Sequence, residues 1–164
     1  MDLPAYFQML ARYNRLANER LFATCAGLDE TEYRRPRKGS FGSIHGLLNH
    51  VLLGDRIWMA RFEGRGQETP PLDTILAESF SGLRSERQLE DARIEDFFGR
   101  LSGDFFSRSF AYTNHRGLHY VEDAAVAAGH FFNHQTHHRG QVHVMLSQTP
   151  VLPPSLDLHR IVNP

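Results

Sequence analysis

Apolar residues recur at helical spacing in four long segments of the chain. The first segment runs from Asp2 to Ala26, with Asp2 as a candidate N-cap and Gly27 as a C-terminal stop. The second runs from Ile44 to Phe62, with Ser43 as its candidate cap. Both patterns predict amphipathic helices that bury one face.

The third and fourth segments lie in the second half of the chain. An apolar stripe from Leu83 to Leu101, with charged residues between, predicts the third helix, and the fourth runs from Glu122 or Asp123 to about Ser147. Four such helices with a long link between the second and third predict an all-α protein, a four-helix bundle with a long crossover connection. A length of 164 residues suits a single domain that covers residues 1–164.

The segments between the helices have other compositions. Gly64 to Pro71 carries two Gly and a Pro-Pro pair, which indicates a connector, and Leu72 to Phe80 is expected to form a short helical turn. Aromatic and apolar residues flank Asn114 to Gly117, a turn composition, so a small β-hairpin or an extended segment is expected before helix four. A Pro-rich tail ends in a short packed turn at Leu156 to Val162.

Charge and composition exclude several classes of protein. The chain has 18 Lys and Arg against 19 acidic residues, so no positive field would attract nucleic acid. No apolar stretch approaches the ~20 residues that cross a bilayer, and the first residues lack the features of a secretory signal. We therefore expect a cytoplasmic protein with no nucleic-acid or membrane partner. Cys25 is expected to be a buried structural thiol.

Histidine is the main compositional signal. Five of the ten histidines fall in the predicted fourth helix: His130, His134, His137, His138 and His143. Residues four apart on a helix lie one above the other, so two imidazoles at that spacing can reach the same metal ion. His130 with His134 and His134 with His138 both have this spacing, and spacing alone does not choose between the pairs.

A catalytic metal site would need a third ligand from another helix, and His50 is the best candidate. Its face of the second helix carries apolar and small residues, among them Gly46, Leu47 and Gly54. The ring is therefore expected to point into the protein, where a polar group needs a partner. A hydrogen-bonded core histidine is the alternative for His50 considered by itself.

Other templates fit the sequence less well. Gln135 stands where the HExxH sequence of a zinc protease has its glutamate, and no Glu-x-x-His is present for a carboxylate di-iron site. Phosphate-loop and G-x-S-x-G patterns are also absent from the sequence.

Three sequence blocks together resemble the DinB family, the DinB/YfiT-like metalloenzymes: Tyr13–Leu21, Ser40–His50 and Asn133–Gln141. The resemblance covers nearly the whole chain, and its last block contains the sequence His-His-Arg-Gly-Gln. It implies a four-helix bundle with a long crossover, frequent homodimerisation, and a three-histidine metal site with open coordination positions. Carried over residue by residue, it places the ligands at His50, His134 and His138.

The same resemblance suggests a reaction. Relatives in the broader superfamily resemble thiol-dependent S-transferases and isomerases, so the leading hypothesis is a transferase that moves a low-molecular-weight thiol to an electrophile with Zn, Ni or Fe as the metal. The basic loop Arg34 to Lys38, or Arg139, could hold a carboxylate of the thiol; both could equally be structural. Two alternatives stay open: a metal-dependent hydrolase, for which Asp55 is the carboxylate that helix two offers as a base, and a non-catalytic protein that binds a metal or small ligand.

Overall fold

A computed structural model of the chain describes residues 1–65, 69–114 and 116–163. It is mostly helical, with one small antiparallel sheet. The elements in chain order are α1 (Leu3–Cys25), α2 (Glu30–Arg34), α3 (Ile44–Phe62), α4 (Phe80–Gly99), α5 (Gly103–Phe106), β1 (Ser109–Thr113), β2 (His119–Asp123), α6 (Ala124–Leu146) and α7 (Leu158–Val162). None of the helices in these ranges combines the length and the apolar character that a bilayer span requires.

The four predicted long helices are confirmed as α1, α3, α4 and α6. Their ends follow from local hydrogen bonding, because the first amides of a helix have no partner within it. The Asp2 carboxylate accepts from the Ala5 amide at 2.9 Å, and the Ser43 hydroxyl accepts from the Gly46 amide at 3.0 Å. The two caps predicted from sequence therefore start α1 and α3.

The short connecting elements are partly as predicted. The hairpin is confirmed, with Tyr112 opposite Tyr120 in the register of β1 and β2. The turn in the tail is confirmed as α7, whose Ile161 is buried near α1. The predicted connector at 64–71 and the predicted turn at 114–117 include residues 66–68 and 115, which lie outside the described residues.

One prediction about the connections was wrong, and one short helix was not predicted. Leu72 to Phe80 is not a helical turn, since the amides of Leu76 and Ala77 donate to the Asn49 side chain on α3 at 2.9 and 3.0 Å instead of to a helical carbonyl. A short helix, α2, was missed between α1 and α3; Asp29 caps it by accepting from the Glu32 amide at 2.7 Å.

The long helices pack in pairs around an apolar interior. Helices α1 and α3 each pack against both α4 and α6. One apolar cluster, rich in phenylalanine, fills the end that contains Phe7, Phe98 and Phe131, and a second fills the opposite end around Leu47 and Leu146. Cys25 is buried in this second cluster, as expected.

Between the two apolar clusters lies a buried polar layer. All four long helices contribute to it, through Asn14, Asn18, Asp55, Arg87, Asp91, Gln135 and Arg139. Arg87 forms ion pairs with Asp55 and, at 3.0 Å, with Asp91. Buried charges are stable only when they are paired and hydrogen-bonded, so this layer ties the four helices together at mid-height.

Candidate metal centre

Three imidazoles from two helices converge at the height of the buried polar layer. They belong to His50 on α3 and to His134 and His138 on α6, and each offers one nitrogen that lies within 4.8 Å of the other two. The His50 ring centroid is 5.3 Å from that of His134 and 4.7 Å from that of His138. The three residues singled out in the sequence are thus brought together.

Hydrogen bonds on the outer nitrogens orient two of these rings. Nδ1 of His50 donates to the Leu72 carbonyl at 2.8 Å, and Nδ1 of His138 donates to the Gln141 amide oxygen at 2.8 Å. A proton on Nδ1 leaves a lone pair on Nε2, which is the tautomer that a metal ligand requires.

The nitrogens of His134 and His138 test whether a metal ion fits. Their Nε2 atoms are 3.1 Å apart. Two nitrogens bound to one tetrahedral ion at about 2.0–2.1 Å would be roughly 3.3 Å apart. The spacing of this pair therefore fits a divalent cation, and the third donor nitrogen, from His50, lies within 4.8 Å of both.

Burial keeps these imidazoles neutral. It lowers the pKa of His134 to about 3, with added repulsion from the neighbouring histidines, and it lowers the pKa of His50 and of His138. A neutral imidazole is the form that binds a metal, so protons do not compete with a cation at neutral pH.

Two glycines on α3 make room for the cluster. A Cβ at Gly54 would lie 2.9 Å from Cε1 of His134, so only glycine lets the His134 ring lie against α3. A Cβ at Gly46 would collide with the Phe41 carbonyl. That close approach seats the Phe41 ring on the His50 ring, with centroids 3.6 Å apart and planes 15° from parallel, although Phe41 has a positive φ of 62°.

The other histidines of α6 take different places. His137 is exposed and contacts the Gln141 amide nitrogen at 3.1 Å. The ring of His130 is 6.0 Å from that of His134 and packs against Trp58. His143 faces another cavity, beside Tyr13. The alternative pair His130 and His134 is therefore not the one whose nitrogens approach His50.

A cavity of about 330 Å³ opens beside two of the three histidines, His50 and His134. His50, His134 and His130 line it together with Trp58, Arg61 and the hairpin residue Tyr112. Trp58, Arg61 and Tyr112 were not predicted from the sequence. A signal was present for Arg61, because eleven residues at 100° each return to within about 20° of His50 on the same helix.

The proposed anchors for a thiol carboxylate have structural partners instead. In the basic loop, Arg34 pairs with Glu30 and Glu78, while Arg35 and Arg37 both pair with Glu32.

Arg139 is buried and also has structural partners. Its guanidinium points away from the three histidines towards α1, where it donates to the side chains of Asn14 and Asn18.

Comparison with known proteins agrees with this architecture. The chain is 28% identical over 148 residues to "Protein DinB" of Bacillus subtilis (strain 168), an alignment that spans 85% of this chain and 83% of that protein. The model of the DinB family matches residues 1–163, which is nearly the full length. On this evidence, the chain belongs to the DinB family.

Proposed function

We propose that His50, His134 and His138 hold one divalent metal ion, and that the protein is a metal-dependent transferase that joins a low-molecular-weight thiol to an electrophile. The observation that carries the proposal is the convergence of three neutral imidazoles, two of which, His50 and His134, line a cavity large enough for a small molecule. Zn, Ni and Fe all accept such ligands.

The ligand set favours catalysis over a structural role. Three neutral ligands leave the charge of a divalent ion uncompensated and at least one coordination position open. When bound, such an ion would lower the pKa of a thiol that reaches the open position. The sulfur would then form its bond to carbon as the leaving group departs with its electron pair, and the thiol proton passes to solvent.

Hydrolysis is the weaker candidate, because the described residues that line the cavity include no carboxylate base. Asp55, the base that this reaction would use, is fully buried. It accepts from Gln135 at 2.7 Å and pairs with Arg87. Among the described residues, none that lines this cavity or the one adjoining it is Asp or Glu.

The test combines metal content with turnover. Elemental analysis of protein purified from its native host identifies the metal, and metal-loaded protein is then incubated with bacillithiol, mycothiol, glutathione or coenzyme A and monochlorobimane. We expect turnover with at least one thiol, lost in His134→Ala together with the metal. His143→Ala is the matched control, since it removes an imidazole of the same helix that faces a different cavity, and it should retain both.

Two outcomes would contradict the proposal. Protein that binds no divalent metal would remove its basis. Metal-loaded protein with no turnover above the His134→Ala background with any thiol would instead favour a non-catalytic metal-binding protein.

The proposal also covers the domain organisation, the helix bundle and the oligomeric state of the protein. We infer that residues 1–164 form one domain, that α1, α3, α4 and α6 make up a four-helix bundle, and that the protein works as a cytoplasmic homodimer. The family membership supports these inferences, and light scattering of the purified protein tests the dimer.

A further inference from the structure

Arg61 occupies a distinctive position in the cavity beside the three histidines. Its guanidinium carbon is 4.1 Å from the ring centroid of Tyr112 and 4.6 Å from that of Trp58. Cation–π contacts on two sides fix a guanidinium that would otherwise move freely in water. The charge is therefore held at a defined place in the cavity wall.

The described part of the chain supplies no acceptor for this charge. There, Arg61 makes neither an ion pair nor a side-chain hydrogen bond, although it is half-buried. The other described arginines without an ion pair are either exposed or, in the case of Arg139, hydrogen-bonded to amide and hydroxyl groups. A half-buried guanidinium with unused donors is costly unless something else binds it.

The cavity wall connects Arg61 to the metal-site histidines through aromatic contacts. Trp58 lies 5.1 Å from the His130 ring, and His130 lies 6.0 Å from the His134 ring. Arg61 also lines a second cavity of about 370 Å³ that shares Ile57 and Tyr112 with the first. His50 and His134 line the first cavity together with Arg61, so a small molecule bound there can contact both the guanidinium and these two histidines.

We propose that Arg61 binds a carboxylate of the thiol or of its electrophile, so that the protein acts on small organic acids with a flat or apolar body. The planar guanidinium presents two parallel N–H donors, which match the two oxygens of a carboxylate. Trp58, Tyr112 and Tyr120 supply the aromatic surface for the body of the ligand. Carboxylate binding by Arg61 does not depend on the proposed function. Only the reaction of the ligand at the three histidines rests on it.

Fluorescence offers a direct test, because Trp58 is the sole tryptophan of the chain. Metal-free protein is titrated with phenylacetate and with 3-mercaptopropionate, and in parallel with phenylacetamide and methyl 3-mercaptopropionate, which lack the charge. We expect the acids to change the Trp58 emission at millimolar concentration and to bind at least tenfold more tightly than their neutral partners. Calorimetry provides the same affinities without relying on the fluorophore.

Two substitutions test the residue itself. Arg61→Gln should weaken binding of the acids about 10- to 100-fold, the usual range for one lost charge-assisted hydrogen-bonding group. Arg56→Gln is the matched control, because Arg56 lies on the same helix but pairs with Glu86 and Glu90 outside the cavity. The affinity of Arg56→Gln for the acids should stay within twofold of that of the parent chain.

The outcomes separate this inference from the proposed function. Acid binding that is lost only in Arg61→Gln supports the carboxylate site even where no thiol reacts, a result that contradicts the transferase alone. Equal affinity for acids and neutral partners, or no binding of any acid, overturns the site even where the transferase is active. Because the acid and amide comparison uses the unchanged protein, the test stands if Arg61→Gln does not fold.

Discussion

Gly54 determines how closely α3 approaches the His134 imidazole. Its missing side chain leaves the space that the ring occupies, since a Cβ there would lie 2.9 Å from Cε1. In a helix interior glycine costs up to about 1 kcal/mol relative to alanine. Gly54 therefore allows the His134 ring to lie against α3 but lowers the stability of this helix.

Gly54→Ala should separate these two effects. We expect the metal affinity to fall at least tenfold, because the His134 ring must shift, while the free energy of unfolding of the metal-free protein changes by about 1 kcal/mol or less. Metal affinity is measured by competition with a chelator and stability by urea unfolding. Gly129→Ala on α6, where an added Cβ meets nothing within 4 Å, is the control and should leave the metal affinity unchanged. Equal affinities of both variants would show that Gly54 has no such role.

At this scale the sequence predicted the histidines better than their surroundings. An inward face identified His50, and spacing on α6 gave two pairs, of which the family resemblance chose His134 with His138. The choice depends on the axial position of α3 against α6, which no local spacing encodes. Trp58 and Tyr112 escaped prediction because one lies on a helix and the other on a hairpin strand, and only the packing of these elements joins them.

Among the elements, α4 contributes two charged residues to the buried polar layer, Arg87 and Asp91. Asp91 accepts from Asn14 at 3.2 Å and from Asn18 at 2.9 Å, and it pairs with Arg87. Burial nevertheless raises the pKa of Asp91 from 3.8 to about 6, against the opposing effect of Arg87. Ionising this carboxyl inside the protein is therefore harder than in water, even with its partners in place.

This raised pKa predicts a pH-dependent effect of Asp91→Asn. Folding favours the protonated acid, so the stability contributed by Asp91 is full below about pH 4 and is lost as the pH rises through about 6. Relative to the Asn variant, the parent chain should lose on the order of 2 kcal/mol across this interval. Urea unfolding of both metal-free proteins over this pH range measures the difference, in which titrating groups far from Asp91 cancel. A difference that does not vary with pH would contradict the shift.

The connecting elements show where local patterns stop being informative. The hairpin was predictable because aromatic residues flank a turn composition on both sides. The stretch before α4 was not, because its amides bond to Asn49, a residue more than twenty positions earlier. The short helix α2 has a local signal in the sequence, because Asp29 three residues before Glu32 is a typical N-cap.

In the whole molecule, stability is divided between two apolar clusters on either side of the polar layer. The phenylalanine-rich cluster lies at the end away from the Ser43 cap of α3, and Phe98 is fully buried within it. Its ring contacts those of Phe7, Phe131 and Phe132. Helical periodicity predicted such inward faces, but it did not predict that α1 and α3 would both pack against α4 and α6.

Phe98→Ala should therefore affect the fold without changing the metal centre. We expect the free energy of unfolding to fall by about 3–5 kcal/mol, as for other buried phenylalanines, with one metal ion still bound per folded chain. Denaturant unfolding and elemental analysis measure the two quantities. Leu89→Ala on the same helix is the control, since Leu89 is 67% exposed and its truncation should cost less than about 0.5 kcal/mol. A similar loss in both variants would contradict the assignment of the core.

The positions of the three imidazoles along the chain have a further consequence. His50 and His134 lie on opposite sides of α4 and the hairpin in sequence, so a shared ion would close one large loop of polypeptide around them. A link of this kind restricts the unfolded chain much as a covalent cross-bridge does, yet it can be removed by a chelator. Metal supply would then regulate how long the folded chain survives, independently of any reaction it performs.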